Sequence, residues 1–322
     1  MIAISVFETI AEDLTQVEQK MRQSMVTPNQ ALSDVLACLL SSGGKRLRPA
    51  LALLASRLGQ AETGKALSLA GAVELLHTAT LVHDDLIDNS LLRRGRVTLN
   101  AQWSSGATVL AGDLIFAQSA SMAAETQNVR VIAIFAQTLV TICQGELSQL
   151  FSVPWRQQTK EDYYRRIYAK TASLFAAATE MGGILAGLPE IQVQALREYG
   201  RTLGMAFQII DDVLDFVGDE GTIGKPVGGD LRQGIVTLPT LIYLRQTPQD
   251  EGVVDVLDRR GSQDGAVTGL VARIVESGAI QASYAEAEEF VRQGKDALLS
   301  LPGHPARAAM LELADYVTAR RT

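Results

Sequence analysis

Two cysteines in 322 residues, no excess of basic side chains and no alternating β-branched segments leave few routes open. Cys38 and Cys143 lie far apart inside apolar helical patterns without metal-ligand spacing. That excludes a disulfide framework or zinc site and predicts two buried small hydrophobes. Lys and Arg number 29 against 36 Asp and Glu, a net charge of −7. No basic surface is offered to nucleic acid, so a small anionic ligand needs local basic patches. The opening "MIAISVFETIAEDLTQVEQKM" lacks the basic region and apolar run of a signal peptide and reads as an amphipathic helix. The most apolar stretch, "VIAIFAQTLVTICQGELSQL", is interrupted by Gln137, Gln144 and Glu146, short of the roughly 20 residues of a membrane span. A cytoplasmic chain without a transmembrane segment is expected.

What is present is helical. Apolar residues recur at helical spacing almost throughout, and no tandem period marks a solenoid, so an all-α fold follows. Helix starts are predicted at Thr27-Pro28, at Thr159 with Asp162, at Pro189 and at Thr247-Pro248. Breaks fall at Gly43-Gly44, around "GQAETG" and at "VGDEGTIGKPVGGD", the last too short for a linker. Residues 1–322 are therefore read as one domain, a single large helical bundle.

Two acidic clusters stand out against this background. "DDLID" at 84–88 and "DDVLD" at 211–215 place Asp84 over Asp88, and Asp211 over Asp215, one helical turn apart. Asp85 and Asp212 lie beside them at i, i+3 to the last member. Like charges so close call for a cation, and an all-oxygen donor set suits Mg²⁺ or Mn²⁺ rather than zinc. Mg²⁺ takes one or two carboxylates and completes its octahedron with water and phosphate, so the clusters suggest phosphate held through metals. A solvated acidic face is the plain alternative, less easily sustained twice on otherwise apolar helices.

Cations that need an anion are also present. "SSGGKRLRPAL" carries Lys45, Arg46 and Arg48 behind flexible glycines, and Arg93-Arg94 follow the first acidic cluster. The aspartates then hold metals, the arginines hold oxyanions, and the opposed charges meet through a bound polyanion. His77 lies two turns before Asp84 on the same side, though a histidine on an apolar helix is commonly a satisfied core residue. Lys170, Gln208 and Lys225 gain meaning only from their order along the chain.

That order is "GGKRLRP", "HTATLVHDDLIDNSLLRRG", "AGDLIFAQSA", Gly145-Glu146, "KTASLF", "FQIIDDVLD" and "GKPVGGDLRQGIVTLP". It resembles the trans-isoprenyl diphosphate synthase family from about residue 30 to the C-terminus, and its long-chain polyprenyl members above all. The resemblance implies an isoprenoid-synthase bundle around a central active-site cavity, a homodimer, and condensation of isopentenyl diphosphate with an allylic diphosphate. It assigns Lys45, Arg48, His77 and Arg94 to isopentenyl diphosphate, and Arg93, Lys170, Thr171, Gln208 and Lys225 to the allylic diphosphate. Asp84, Asp85, Asp88, Asp211, Asp212 and Asp215 are the implied catalytic carboxylates, with Lys170 beside them. They hold about three Mg²⁺, or Mn²⁺ as a substitute, coordinated directly through Asp84, Asp88 and Asp211 and further by Asp85 and Asp215. One departure is Ile235, where many relatives carry a diphosphate-binding lysine.

A growing tail extends along the helix before Asp84, about 5.4 Å deeper for each turn. Short-chain relatives close that route with an aromatic residue four or five positions upstream, where this chain has Thr80 and Ala79. Leu75 and Leu76 lie deeper, so the expected product has about six to ten isoprene units, of the kind used for quinone side chains. The alternatives are a geranylgeranyl diphosphate synthase, a terpene cyclase, which needs no second-substrate pocket, and a non-catalytic synthase subunit, which commonly lacks one aspartate motif.

Overall fold

A computed structural model describes residues 8–40, 44–93, 95–151, 154–218, 227–258 and 264–319. The fold is all-α, as the helical period requires. The chain forms two compact units. The first holds residues 1–139, 174–200 and 297–313, the second 140–173, 201–296 and 314–322.

The first unit opens with α1 (Ala11–Ser24), α2 (Gln30–Leu40), α3 (Leu47–Ser56) and α4 (Thr63–Ile87). A two-strand hairpin, β1 (Leu92–Arg93) and β2 (Arg96–Val97), leads to α5 (Leu99–Gln102), α6 (Ser105–Ala124) and the first half of α7 (Val129–Leu150). The centre of this unit is α4, which packs against α1, α3 and α6. Every residue from Ser68 to Leu76 is buried. A helix apolar on all sides must be covered on all sides, and each buried leucine or valine in the run contributes about 1.5–3 kcal/mol.

The hairpin was not expected from the period. It pairs Leu92 with Val97 and Arg93 with Arg96, and Gly95 turns it at φ 73°. Two strand residues per side are too few to register as alternation.

The second unit contains α8 (Lys160–Ile167), a π-helical turn (Tyr168–Ala172), the end of α10 (Glu190–Val217) and α11 (Gly229–Arg232). Then follow α12 (Leu238–Gln246), α13 (Glu251–Asp258), α14 (Asp264–Glu276) and α15 (Ala279–Leu298). Between α7 and α10 the chain also forms α9 (Ser173–Leu185), and it ends in α16 (Pro305–Ala319). Thr159 caps α8 in the expected box with Asp162. The start at Pro189 also holds, directly before Glu190, while two others shift. Asn29 receives Leu32 N–H at 3.2 Å and Asp250 receives Gly252 N–H at 2.7 Å, so the caps lie beyond Thr27-Pro28 and Thr247-Pro248. Thr247 instead donates to Tyr243 O at 2.9 Å and finishes the preceding helix.

Two expectations from composition are corrected. Both cysteines are exposed and neither forms a disulfide, because they fall on outward stripes of α2 and α7. Three helices, α4, α6 and α7, have the length and composition of a membrane span. Gln137 and Gln144 carry no charge, so they do not interrupt α7 as expected. Protein covers 67% of the most apolar window of α4 but only 22% of that of α7. Ile132, Val140, Leu147 and Leu150 lie open along α7, with Phe151 after it.

Candidate active site

In the first unit the acidic cluster occupies the last turn of α4. The helix ends in a Schellman motif. Ser90 N–H donates to Asp85 O at 2.8 Å and Asn89 N–H to Leu86 O at 3.3 Å, with Asn89 in the left-handed region at φ 50°. Carboxylates at a helix C-terminus face the negative end of its dipole, so Asp84, Asp85 and Asp88 stand where a helix least favours them. Their environments differ. Asp84 is half-buried, Asp88 is exposed, and Asp85 is 7% exposed. Arg93, returned by the hairpin, donates its Nε–H to Asp85 Oδ1 at 2.8 Å. The opening contrast of charges is thus met partly within the chain, by a pair the sequence reading assigned to two different tasks.

In the second unit Asp211, Asp212 and Asp215 occupy the last turns of α10, again without a basic residue there. Asp212 is 6% exposed and both its oxygens accept hydrogen bonds. Gln208 Nε2 donates to Oδ1 at 2.7 Å and the Tyr163 hydroxyl to Oδ2 at 2.8 Å. Gln208 Oε1 in turn receives Thr171 Oγ1 at 2.6 Å. Burial pushes the Asp212 carboxyl up to about 6, against the pull of Gln208, Tyr163 and Arg166. The Tyr163 phenol is raised well above its ordinary value, first by burial and then by Asp212. Asp215 receives the N–H groups of Gly229 and Asp230, each at 3.1 Å, and so anchors the start of α11.

Lys170 and Thr171 sit in the π-helical turn, an irregularity that often marks functional positions. Lys170 Nζ pairs with Glu146 at 2.8 Å. The approach depends on Gly145, since a Cβ there would lie 2.5 Å from Ala169 Cβ.

The basic loop divides its labour. Arg46, left-handed at φ 47°, donates to Glu74 at 2.6 Å, Glu18 at 3.2 Å and Leu40 O at 2.6 Å. The sequence set Arg46 among the cations awaiting an anion, but its guanidinium is taken by Glu74, a lone charge inside the buried run of α4. Lys45 stays exposed, and the Arg48 guanidinium lies 4.7 Å from the Phe175 ring centroid. His77 and Thr80 are half-buried and Ala79 fully buried. Thr80 donates its hydroxyl to His77 O at 2.7 Å. Arg94 and Lys225 lie outside the described residues.

Among the described residues, no three His, Cys, Asp or Glu side chains form a ready-made metal cage. The donor set still fits Mg²⁺, which needs only one or two carboxylates per ion and takes phosphate for the rest. On α4 Asp84 and Asp88, and on α10 Asp211, are the residues that would hold it, as the resemblance implies.

Comparison with known proteins gives the family. The family model of polyprenyl synthetase matches residues 29–274. A heptaprenyl diphosphate synthase component 2 from Geobacillus stearothermophilus is 38% identical over 98% of both chains. A crystal structure of a decaprenyl diphosphate synthase from Rhodobacter capsulatus superposes with a TM-score of 0.91 at 39% identity, covering 99% of both chains. The polyprenyl synthase from Caulobacter crescentus, solved with calcium and isoprenyl diphosphate, gives a TM-score of 0.94 at 35% identity over 99% of this chain and 98% of that one. This chain, a prenyltransferase, belongs to the polyprenyl synthetase family.

Proposed function

We propose that this protein condenses isopentenyl diphosphate with an allylic diphosphate, repeatedly and in trans, to a polyprenyl diphosphate of about six to ten isoprene units. One observation carries the length. Ala79, the residue five positions before Asp84, is a fully buried methyl, and Thr80 has turned its only polar group back to the helix. Neither brings the aromatic ring that would close a route one turn below the aspartates. The relatives named for seven and ten units fall within the proposed range and favour it over a geranylgeranyl product. A quinone side chain is the natural use of such a tail, and the cytoplasm the natural place for two water-soluble diphosphates.

Diphosphate leaves slowly until its charge is neutralised. Mg²⁺ held by Asp84, Asp88 and Asp211 would supply that neutralisation. Lys170, Thr171 and Gln208 orient the allylic diphosphate, and Lys45, Arg48 and His77 the homoallylic one.

The open apolar stripe of α7 supports a homodimer, because an aqueous surface rarely leaves so much contiguous apolar area uncovered. Sedimentation velocity should give the mass of two chains. The word "component" in one relative's name raises a second reading, a chain that needs a different partner. The deciding experiment is mass spectrometry of products made by the purified chain with Mg²⁺, isopentenyl diphosphate and a series of allylic primers. Long-chain products are expected, shortened by Ala79→Phe. No product from the chain alone would favour the partner-dependent reading, and an unchanged length in an active Ala79→Phe would remove Ala79 from the tunnel.

A further inference from the structure

Asp212 belongs to the acidic motif, yet its carboxylate is already occupied. Both oxygens accept hydrogen bonds, at 2.7 Å from Gln208 and 2.8 Å from Tyr163, and the side chain is buried. A carboxylate so engaged is poorly placed to reach a metal. Its neighbours Asp211 and Asp215 are more open to solvent. Adjacent helical residues diverge by about 100°, so pinning one of them sets the rotation of the helix and the direction of the others.

The pin is a tyrosine from outside every motif. Tyr163 lies on α8, fully buried, and Arg166 stacks its guanidinium 5.5 Å from the ring centroid. Arg166 also donates to Val236 O at 2.5 Å, next to Ile235, where the diphosphate-binding lysine of many relatives is missing. On the other side, Gln208 passes the contact to Thr171 at 2.6 Å. One connected chain of polar contacts therefore runs from the Val236 backbone through Arg166, Tyr163, Asp212 and Gln208 to Thr171. Among the described residues, the groups around it include Arg166 and Tyr164 from α8 and Gln208 and Asp211 from α10.

We propose that Tyr163 is a positioning residue for the second acidic cluster. It holds Asp212 as a buried anchor, and that anchor aims Asp211 at the metal and keeps the π-helical turn of Thr171 in register with it. The proposal rests on the reading of Asp211 as a metal-holding residue. Partners of this kind orient the groups that touch a metal, and their loss typically weakens metal affinity or activity by about 10–100-fold.

The test uses the full chain and a readout other than turnover. Thermal stabilisation by Mg²⁺ in the presence of inorganic pyrophosphate is titrated for wild type, Tyr163→Phe, Asp212→Asn and Asp211→Asn. Tyr163→Phe should raise the half-saturating Mg²⁺ concentration by about tenfold or more and lower kcat more than it raises KM for isopentenyl diphosphate. A lower melting temperature with the Mg²⁺ midpoint within twofold of wild type would leave Tyr163 a packing residue and overturn the proposal. Asp212→Asn should remain at least about tenfold more responsive to Mg²⁺ than Asp211→Asn. Equal loss in the two would make Asp212 a ligand and overturn the proposal even if Tyr163→Phe does not fold. An Asp211→Asn protein that responds like wild type would instead sink the metal reading on which the proposal stands.

Discussion

Asp85 and Asp212 hold the same place in two copies of one motif, each buried and each at the C-terminal end of a long helix. Their partners differ in kind. Asp85 faces a guanidinium eight positions along the chain, while Asp212 faces a phenol and an amide. A charged partner favours the ionised carboxylate, whereas neutral donors in a buried setting leave the desolvation cost largely unmet. The Asp212 carboxyl accordingly lies near 6, though Arg166 pulls it downward. A repeated motif thus specifies where the carboxylates stand without specifying what they face. That property belongs to the surroundings.

The largest expected effect falls on the members that the two clusters share in kind. Asp84→Asn and Asp211→Asn should each reduce kcat by about 10²–10³-fold, the loss found when one electrostatic contact to a developing charge is removed. Steady-state turnover at saturating Mg²⁺ checks it. If one of the two retained near wild-type turnover, the clusters would not be equivalent even at their first aspartates.

A smaller effect tests the rule that a buried carboxylate depends on its partner. Glu74, 5% exposed, is held by Arg46 as Asp85 is held by Arg93, but more deeply. Breaking a buried ion pair by removing one member destabilises by about 3–5 kcal/mol. Glu74→Gln should fall at the low end, because Arg46 keeps Glu18 and Leu40 O, and the melting temperature should drop by about 5–10 °C. The double variant Arg46→Met with Glu74→Met should recover much of that loss. If the double variant were no more stable than Glu74→Gln, the pair would be stabilising in itself.

How much of this was legible in the sequence follows from the range of each interaction. The helical period, the box at Thr159 and both acidic clusters are local patterns, and they fall where the spacing placed them. Asn29 and Asp250 displaced two predicted caps because several capping residues stood within a few positions of each other, and spacing does not rank them. Tyr163 lies 49 residues from Asp212, and Glu74 lies 28 from Arg46. Contacts at that range leave no periodic trace, so Tyr163 and Glu74 escaped a reading built on spacing. The cysteines misled for a related reason. Burial on a helix depends on which face is covered, and α7 has more apolar faces than its own chain covers.

The finest test of the contrast is the pH dependence of Asp212. Its folded carboxyl lies near 6, above the roughly 3.9 of an unfolded aspartate. The folded state therefore binds the proton more tightly. Between about pH 4 and pH 6 the unfolded chain has released it while the folded protein has not, so stability declines as pH rises through that window and levels off above it. Asp212→Asn cannot ionise, and its amide can still satisfy Gln208 and Tyr163 if the phenol reorients to accept. In EDTA, the melting temperature of Asp212→Asn minus that of wild type should therefore climb from pH 4 to pH 6 and stay constant from there to pH 8. A difference that shrinks over the same window would mean that the donors and Arg166 stabilise the ionised form by more than burial penalises it. Asp212 would then be held as Asp85 is, and the contrast between the two clusters would disappear.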